Sequence, residues 1–114
     1  MRALGSKSLE PEMINLDDYE ILVPEELVNL VPGFVSRREE DVRVLESLIK
    51  EKKFAEIAQL AHKLKGHGTS YGFDAVSELG KKIEFASKRK DFFETDQFIR
   101  NLHIVVKDLS KRFN

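Results

Sequence analysis

The 114-residue chain contains no cysteine. Disulfides and thiolate chemistry are therefore excluded, and thiol usage says nothing about a redox compartment. No apolar run approaches the roughly 18 residues that span a bilayer. The opening stretch MRALGSKSLEPEM lacks an apolar signal-peptide core. These absences make a cytoplasmic protein the default expectation, with no membrane partner. No lysine run is dense enough to suggest nucleic-acid binding. There is no phosphate-cradling glycine loop, no nucleotide motif, no ordered Ser–His–acid set and no His-Glu-x-x-His pair. Nothing in the residues therefore points to ATP binding, hydrolysis or a metal site. No strand-like alternation occurs, which leaves an all-α fold.

What is present is an ordinary soluble composition, 41% hydrophobic and 34% charged. The length suits one domain with a single core. The net charge of -1 is unevenly placed: residues 1–51 hold 6 Lys+Arg against 12 Asp+Glu, and residues 52–114 hold 13 against 8. The basic second half favours an acidic partner surface.

Taken in order, residues 1–15 read as a poorly ordered N-terminal arm with at most one helical turn. Residues 16–114 read as the folded domain. Leu16, Tyr19, Ile21, Leu22 and Val23 can pack a lead-in segment on the core. Pro24-Glu25-Glu26 suits a helix start, and Pro32-Gly33 predicts a kink or break near Val31. Phe34, Val35, Val42, Leu45, Leu48 and Ile49 fit a helix to Lys50, with Arg37 to Asp41 on its solvated face. A Phe54–Tyr71 helix follows, with Gly72 at a left-handed C-cap. Asp74 is the expected N-cap of the next helix, whose inward residues are Val76, Leu79, Ile83 and Phe85/Ala86. The last helix runs from about Phe92 to Arg112, with Phe92, Phe98, Ile99, Leu102, Val105, Val106, Leu109 and Phe113 at helical spacing. Short connections between amphipathic helices predict an antiparallel up-and-down four-helix bundle with a short N-terminal helix.

The stretch Ala61–Phe73, AHKLKGHGTSYGF, carries the functional reading. On a helical wheel centred on Ile57, Phe54, Leu60, Ala61, Leu64, Gly68 and Tyr71 fall within about 60° of the buried face. His62 falls about 140° away, outside that face. Ala58, Lys65, Gly66 and Thr69 lie near it on the same outer surface. A neutral imidazole is a competent nucleophile near neutral pH, and Lys65 could neutralise phosphoryl oxygens. Glycine inside a helix costs roughly 1 kcal/mol relative to alanine. Close helix packing explains the inward Gly68, whereas the outward Gly66 is explained by room for a partner. His67 lies on the opposite edge from Lys65 and reads as a boundary residue. His103 reads as a surface or core-edge histidine.

The run His62-Lys63-Leu64-Lys65-Gly66-His67-Gly68, followed by Gly72-Phe73, Leu79 and Ile83-Glu84, resembles the histidine-containing phosphotransfer (HPt) domain family. The Pro24–Phe34 segment also looks like the opening helix of some members, so the resemblance spans about residues 20–113. His67 stands where many members carry a small polar residue, and Gly80 lies where a cysteine is often seen. The resemblance implies a four-helix bundle in which His62 accepts a phosphoryl group from a receiver-domain aspartate and passes it to another receiver. It implies a phosphocarrier rather than an enzyme, with Lys65 neutralising the phosphoryl charge. Ala58, Lys63, Gly66 and Thr69 would form the receiver-docking face. No cofactor is expected on this chain, magnesium belonging to the receiver. The partners implied are response-regulator receiver domains and a hybrid sensor histidine kinase, with the chain itself a monomer. The alternatives are a non-phosphorylated helical adaptor and the phosphoacceptor domain of a larger chemotaxis-type kinase.

Overall fold

The structure, a computed structural model, describes residues 13–113. Most of the expected arm, residues 1–12, lies outside them. The last arm residues are not loose. The Ile14 N–H donates to Asn101 Oδ1 at 2.6 Å, and Asn101 Nδ2 donates to the Ile14 carbonyl at 2.8 Å. Asn101 is buried, so this two-way bond straps the segment to the last helix.

Two 3-10 helices, Leu16–Asp18 and Glu25–Leu30, precede four α-helices: α1 Val31–Lys50, α2 Phe54–Ser70, α3 Asp74–Lys88 and α4 Phe92–Phe113. Among the described residues there is no strand. The break expected near Val31 takes the form of a change of helix type. Pro32 falls in the first turn of α1, where its missing N–H has no partner to lose.

Several local expectations are corrected. Leu22, expected on the core, and Phe92, expected in the apolar stripe of the last helix, are both exposed. Arg38 is not on a solvated face: it is 6% exposed, with its guanidinium 4.7 Å from the Phe34 ring centroid. Asp74 is the first helical residue, and the cap position falls to Phe73 with no side-chain cap bond. Phe73 is buried against Phe34 and Phe113, and that burial sets where the turn ends. Phe85 is 64% exposed while Ala86 is buried, because the two lie about 100° apart on α3 and only one can meet the core.

Gly72 has φ 78° and the N–H groups of Gly72 and Phe73 close on the Thr69 and Gly68 carbonyls. A Cβ at Gly72 would overlap the Leu22 carbonyl, so the turn needs glycine both for its backbone conformation and for the lead-in segment lying on it.

Consecutive helices meet in opposite directions. Phe34 meets Tyr71 and Arg38 meets His67 between α1 and α2. Gly68 meets Ser77 and His62 meets Glu84 between α2 and α3. Arg89 meets Glu94 and Lys82 lies over Phe98 between α3 and α4. The core between them is built from Phe34, Leu45, Ile57, Leu64, Phe73, Leu79, Ile83, Ile99, Leu102 and Leu109, all buried. No helix of the described residues is long and apolar enough to cross a membrane.

α2 and α3 approach each other closely. A Cβ at Gly68 would stand 2.6 Å from the Ser77 nitrogen and 2.9 Å from the Phe73 oxygen. A Cβ at Gly80 would stand 2.7 Å from the Lys65 nitrogen and 2.8 Å from the Ala61 oxygen. Two glycines, one on each helix, thus let backbone meet backbone beside the His62 turn.

Candidate functional site

His62 projects from the middle of α2 with 64% of its side chain exposed. Its Nδ1 lies 3.1 Å from Glu84 Oε2 and 3.3 Å from Oε1, across the α2–α3 seam. Glu84 is mostly covered, at 14% exposure, and Lys88 holds its Oε2 at 2.9 Å. Lys65 Nζ stands 3.7 Å from Glu84 Oε1. One carboxylate therefore gathers the imidazole and two ammonium groups.

Lys88 chiefly holds the Glu84 carboxyl below its ordinary range; burial opposes this, and the bond to His62 assists it. Glu84 is accordingly ionised at neutral pH and can only accept. The proton in the His62–Glu84 contact then belongs to Nδ1. In the neutral ring this leaves the lone pair on Nε2, the nitrogen with no partner among the described residues.

The expected docking residues separate into groups. Gly66 is exposed, and a Cβ there would meet nothing within 4 Å. Lys63 is exposed, and Lys65 is partly exposed with 42% of its side chain accessible. Thr69 is exposed too, but its hydroxyl is engaged: it donates to the Lys65 carbonyl at 3.1 Å and lies 2.9 Å from Ser77 Oγ. Ala58 corrects the wheel reading, being 8% exposed. The approach of α3 permitted by Gly80 widens the covered arc of α2 on that side. Ala58 still lines an open groove of about 650 Å³ with Ala55, Gln59, His62, Lys63, Glu84 and Lys88.

His67 faces away from this group, towards α1. Its Nδ1 lies 3.3 Å from Arg38 Nη1, and Arg38 Nε donates to Asp41 Oδ2 at 2.8 Å. A guanidinium cannot accept, so Nδ1 of His67 is the acceptor and the ring is neutral. Burial first, and then the Arg38 charge, lower the His67 pKa from its ordinary value. His103 is exposed and pairs with Glu46 at 2.9 Å, far along the α1–α4 seam. His103 lies on the surface as expected, whereas His67 is an exposed residue of α2 that reaches towards α1 rather than a half-covered boundary residue.

The wheel of α2 alone did not single out Glu84, Lys88 or Gly80. Glu84 had a sequence signal in the Ile83-Glu84 pair, but no single-helix pattern reports which side chain reaches across a seam.

A family model described as Hpt domain matches residues 30–109. The chain belongs to the Hpt domain family. Hpt domains are phosphocarriers that serve histidine phosphotransfer in phosphorelay signalling and interact with receiver domains and histidine kinases. No curated protein and no solved structure matches the chain.

Proposed function

We propose that this Hpt domain accepts a phosphoryl group on Nε2 of His62 from a receiver-domain aspartate and passes it to a second receiver. The observation that carries the reading is the His62–Glu84 pair: Nδ1 is engaged at 3.1 Å while 64% of the imidazole side chain is open to solvent. In the accepting step the Nε2 lone pair attacks phosphorus. The P–N bond forms as the bond from phosphorus to the acyl oxygen breaks, and the aspartate leaves as a carboxylate. The ring becomes cationic because Nδ1 keeps its proton. Glu84 stabilises that charge, much as a buried acid steadies a catalytic imidazolium. Lys65, two contacts from the ring through the same carboxylate, can turn to the phosphoryl oxygens and offset their charge. Donation reverses these bonds.

In this reading the chain is a monomeric cytoplasmic carrier that binds no cofactor of its own. Magnesium acts on the receiver side, and a hybrid sensor histidine kinase supplies the first receiver. Gly66, Lys63 and the groove lined by Ala58 form the docking face, with Thr69 at its edge.

The test is labelling by a phosphorylated receiver. His62→Gln should abolish acid-labile, base-stable label, and His67→Gln should retain it. Label kept by His62→Gln and lost by His67→Gln would reverse the assignment. Stable receiver docking with no label on the wild-type chain would favour the adaptor alternative.

A further inference from the structure

Phe85 is the most exposed aromatic side chain among the described residues, at 64%. It follows Glu84 on α3 but contributes nothing to the core, and Ala86 takes the inward place. Measured around α3 from Glu84, Lys88 lies at about 40°, Lys81 at about 60°, Phe85 at about 100° and Arg89 at about 140°. A continuous strip therefore runs from the His62 groove over Lys88 to Phe85. Lys88 belongs to both parts: it lines the groove and is exposed beside Phe85 on the wheel.

The strip is basic but partly neutralised, since Lys88 pairs with Glu84 and Arg89 with Asp91 and Glu94. Lys81 and Lys88 are exposed and neighbour Phe85 on the wheel, and the Arg89 guanidinium lies 4.9 Å from the Phe85 centroid. Arg89 is itself held by Asp91 and Glu94 at 3.1 and 2.9 Å, so one face of the ring is backed by an anchored group. The nearest acid on the His62 side, Glu84, is already occupied by Lys88 and His62. An apolar ring within a basic margin suits a protein surface that offers an apolar recess with an acidic rim.

We infer that Phe85 is the anchor by which the phosphodonor receiver docks, with its anionic aspartyl-phosphate surface extending from His62 across Lys88 onto the outer face of α3. The inference rests on the His62 reading and names a contact of that same partner. Because the ring stands apart from the reacting nitrogen, it should govern encounter and complex lifetime rather than the bond-making step.

The experiment uses the full chain and a purified receiver domain phosphorylated on its aspartate. Transfer rates are followed over a range of receiver concentrations for wild type, Phe85→Ala, Phe85→Glu and His62→Gln. Phe85→Ala should lower the second-order rate constant about tenfold, with the rate at saturating receiver changed by less than about twofold. Phe85→Glu should lower it further, because a carboxylate would face an anionic surface. Urea midpoints of both Phe85 variants should stay at the wild-type value. Wild-type transfer by Phe85→Ala at every concentration, with His62→Gln inactive, overturns the inference and leaves the His62 reading standing. A urea midpoint that falls in step with the rate also overturns it, making Phe85 a stability residue. Label retained on His62→Gln overturns the phosphoacceptor reading itself.

Discussion

The Glu84 carboxylate on α3 lies 3.1 Å from Nδ1 of His62 on α2, while Lys88 holds the same carboxylate at 2.9 Å. Twenty-two residues separate the pair in sequence, and the seam between two helices joins them. Removing Glu84 should therefore damage transfer more than folding. Glu84→Ala should slow transfer at least about tenfold by freeing the ring tautomer and removing the charge that steadies the imidazolium. Glu84→Gln keeps an acceptor without the charge and should fall between. Stopped-flow transfer at saturating receiver measures this, and equal rates for the two variants and wild type would sink the role.

Lys65 should matter for transfer and little for stability. With 42% of its side chain exposed and its ion pair with Glu84 at 3.7 Å, Lys65→Ala should change folding free energy by no more than about 0.5 kcal/mol. It should slow phosphoryl transfer and weaken the dependence of rate on salt. Transfer kinetics unchanged at low ionic strength would remove Lys65 from the mechanism.

The two helix glycines of α2 should fail in opposite ways. A side chain at Gly66 meets open space in the free protein, so Gly66→Gln should leave stability unchanged or raise it by up to roughly 1 kcal/mol. The same side chain stands one turn from His62 and should impede docking and transfer. At Gly68 a methyl group already presses on α3 backbone, so Gly68→Ala should cost about 1–3 kcal/mol. A denaturant melt paired with a transfer assay separates them. Unfolding by Gly66→Gln, with Gly68→Ala merely blocking transfer, would contradict the packing described.

His67 should make the fold sensitive to mild acid. Its pKa is lowered in the folded state from the ordinary 6.5, so the folded protein favours the neutral ring that accepts from Arg38. Above pH 6.5 neither state takes up this proton and the contribution to stability is complete. As pH falls below 6.5, the unfolded chain binds the proton first, and stability declines until the folded value is passed. Urea melts at pH 7.5, 6.5 and 5.5 should show a steeper acid loss for wild type than for His67→Gln, which keeps an acceptor and does not titrate. Parallel profiles would rule out His67 as the source.

The wheel of α2 was legible without neighbours because a periodic apolar pattern specifies an angle, and the angle put Ile57, Ala61, Leu64 and Gly68 inward and His62 and Gly66 outward. Gly72 was legible because a left-handed turn favours one residue type. The same reasoning misplaced Ala58, Arg38 and Phe85, each at the margin of an apolar arc. The width of that arc depends on how closely the next helix approaches.

The sequence by itself determined the helical periods, the change of helix near Val31, the turn at Gly72, the outward histidine and the family. Those follow from interactions within a few residues along the chain: steric limits on φ, hydrogen-bond periodicity and local side-chain spacing. Only the tertiary structure decided that Glu84 and Lys88 attend His62, that His67 turns to a buried Arg38, and that Gly80 meets the Lys65 backbone. Those relations lie across seams whose separation and rotation are set by the packing of both helices at once, and a pattern read along one helix carries no measure of either.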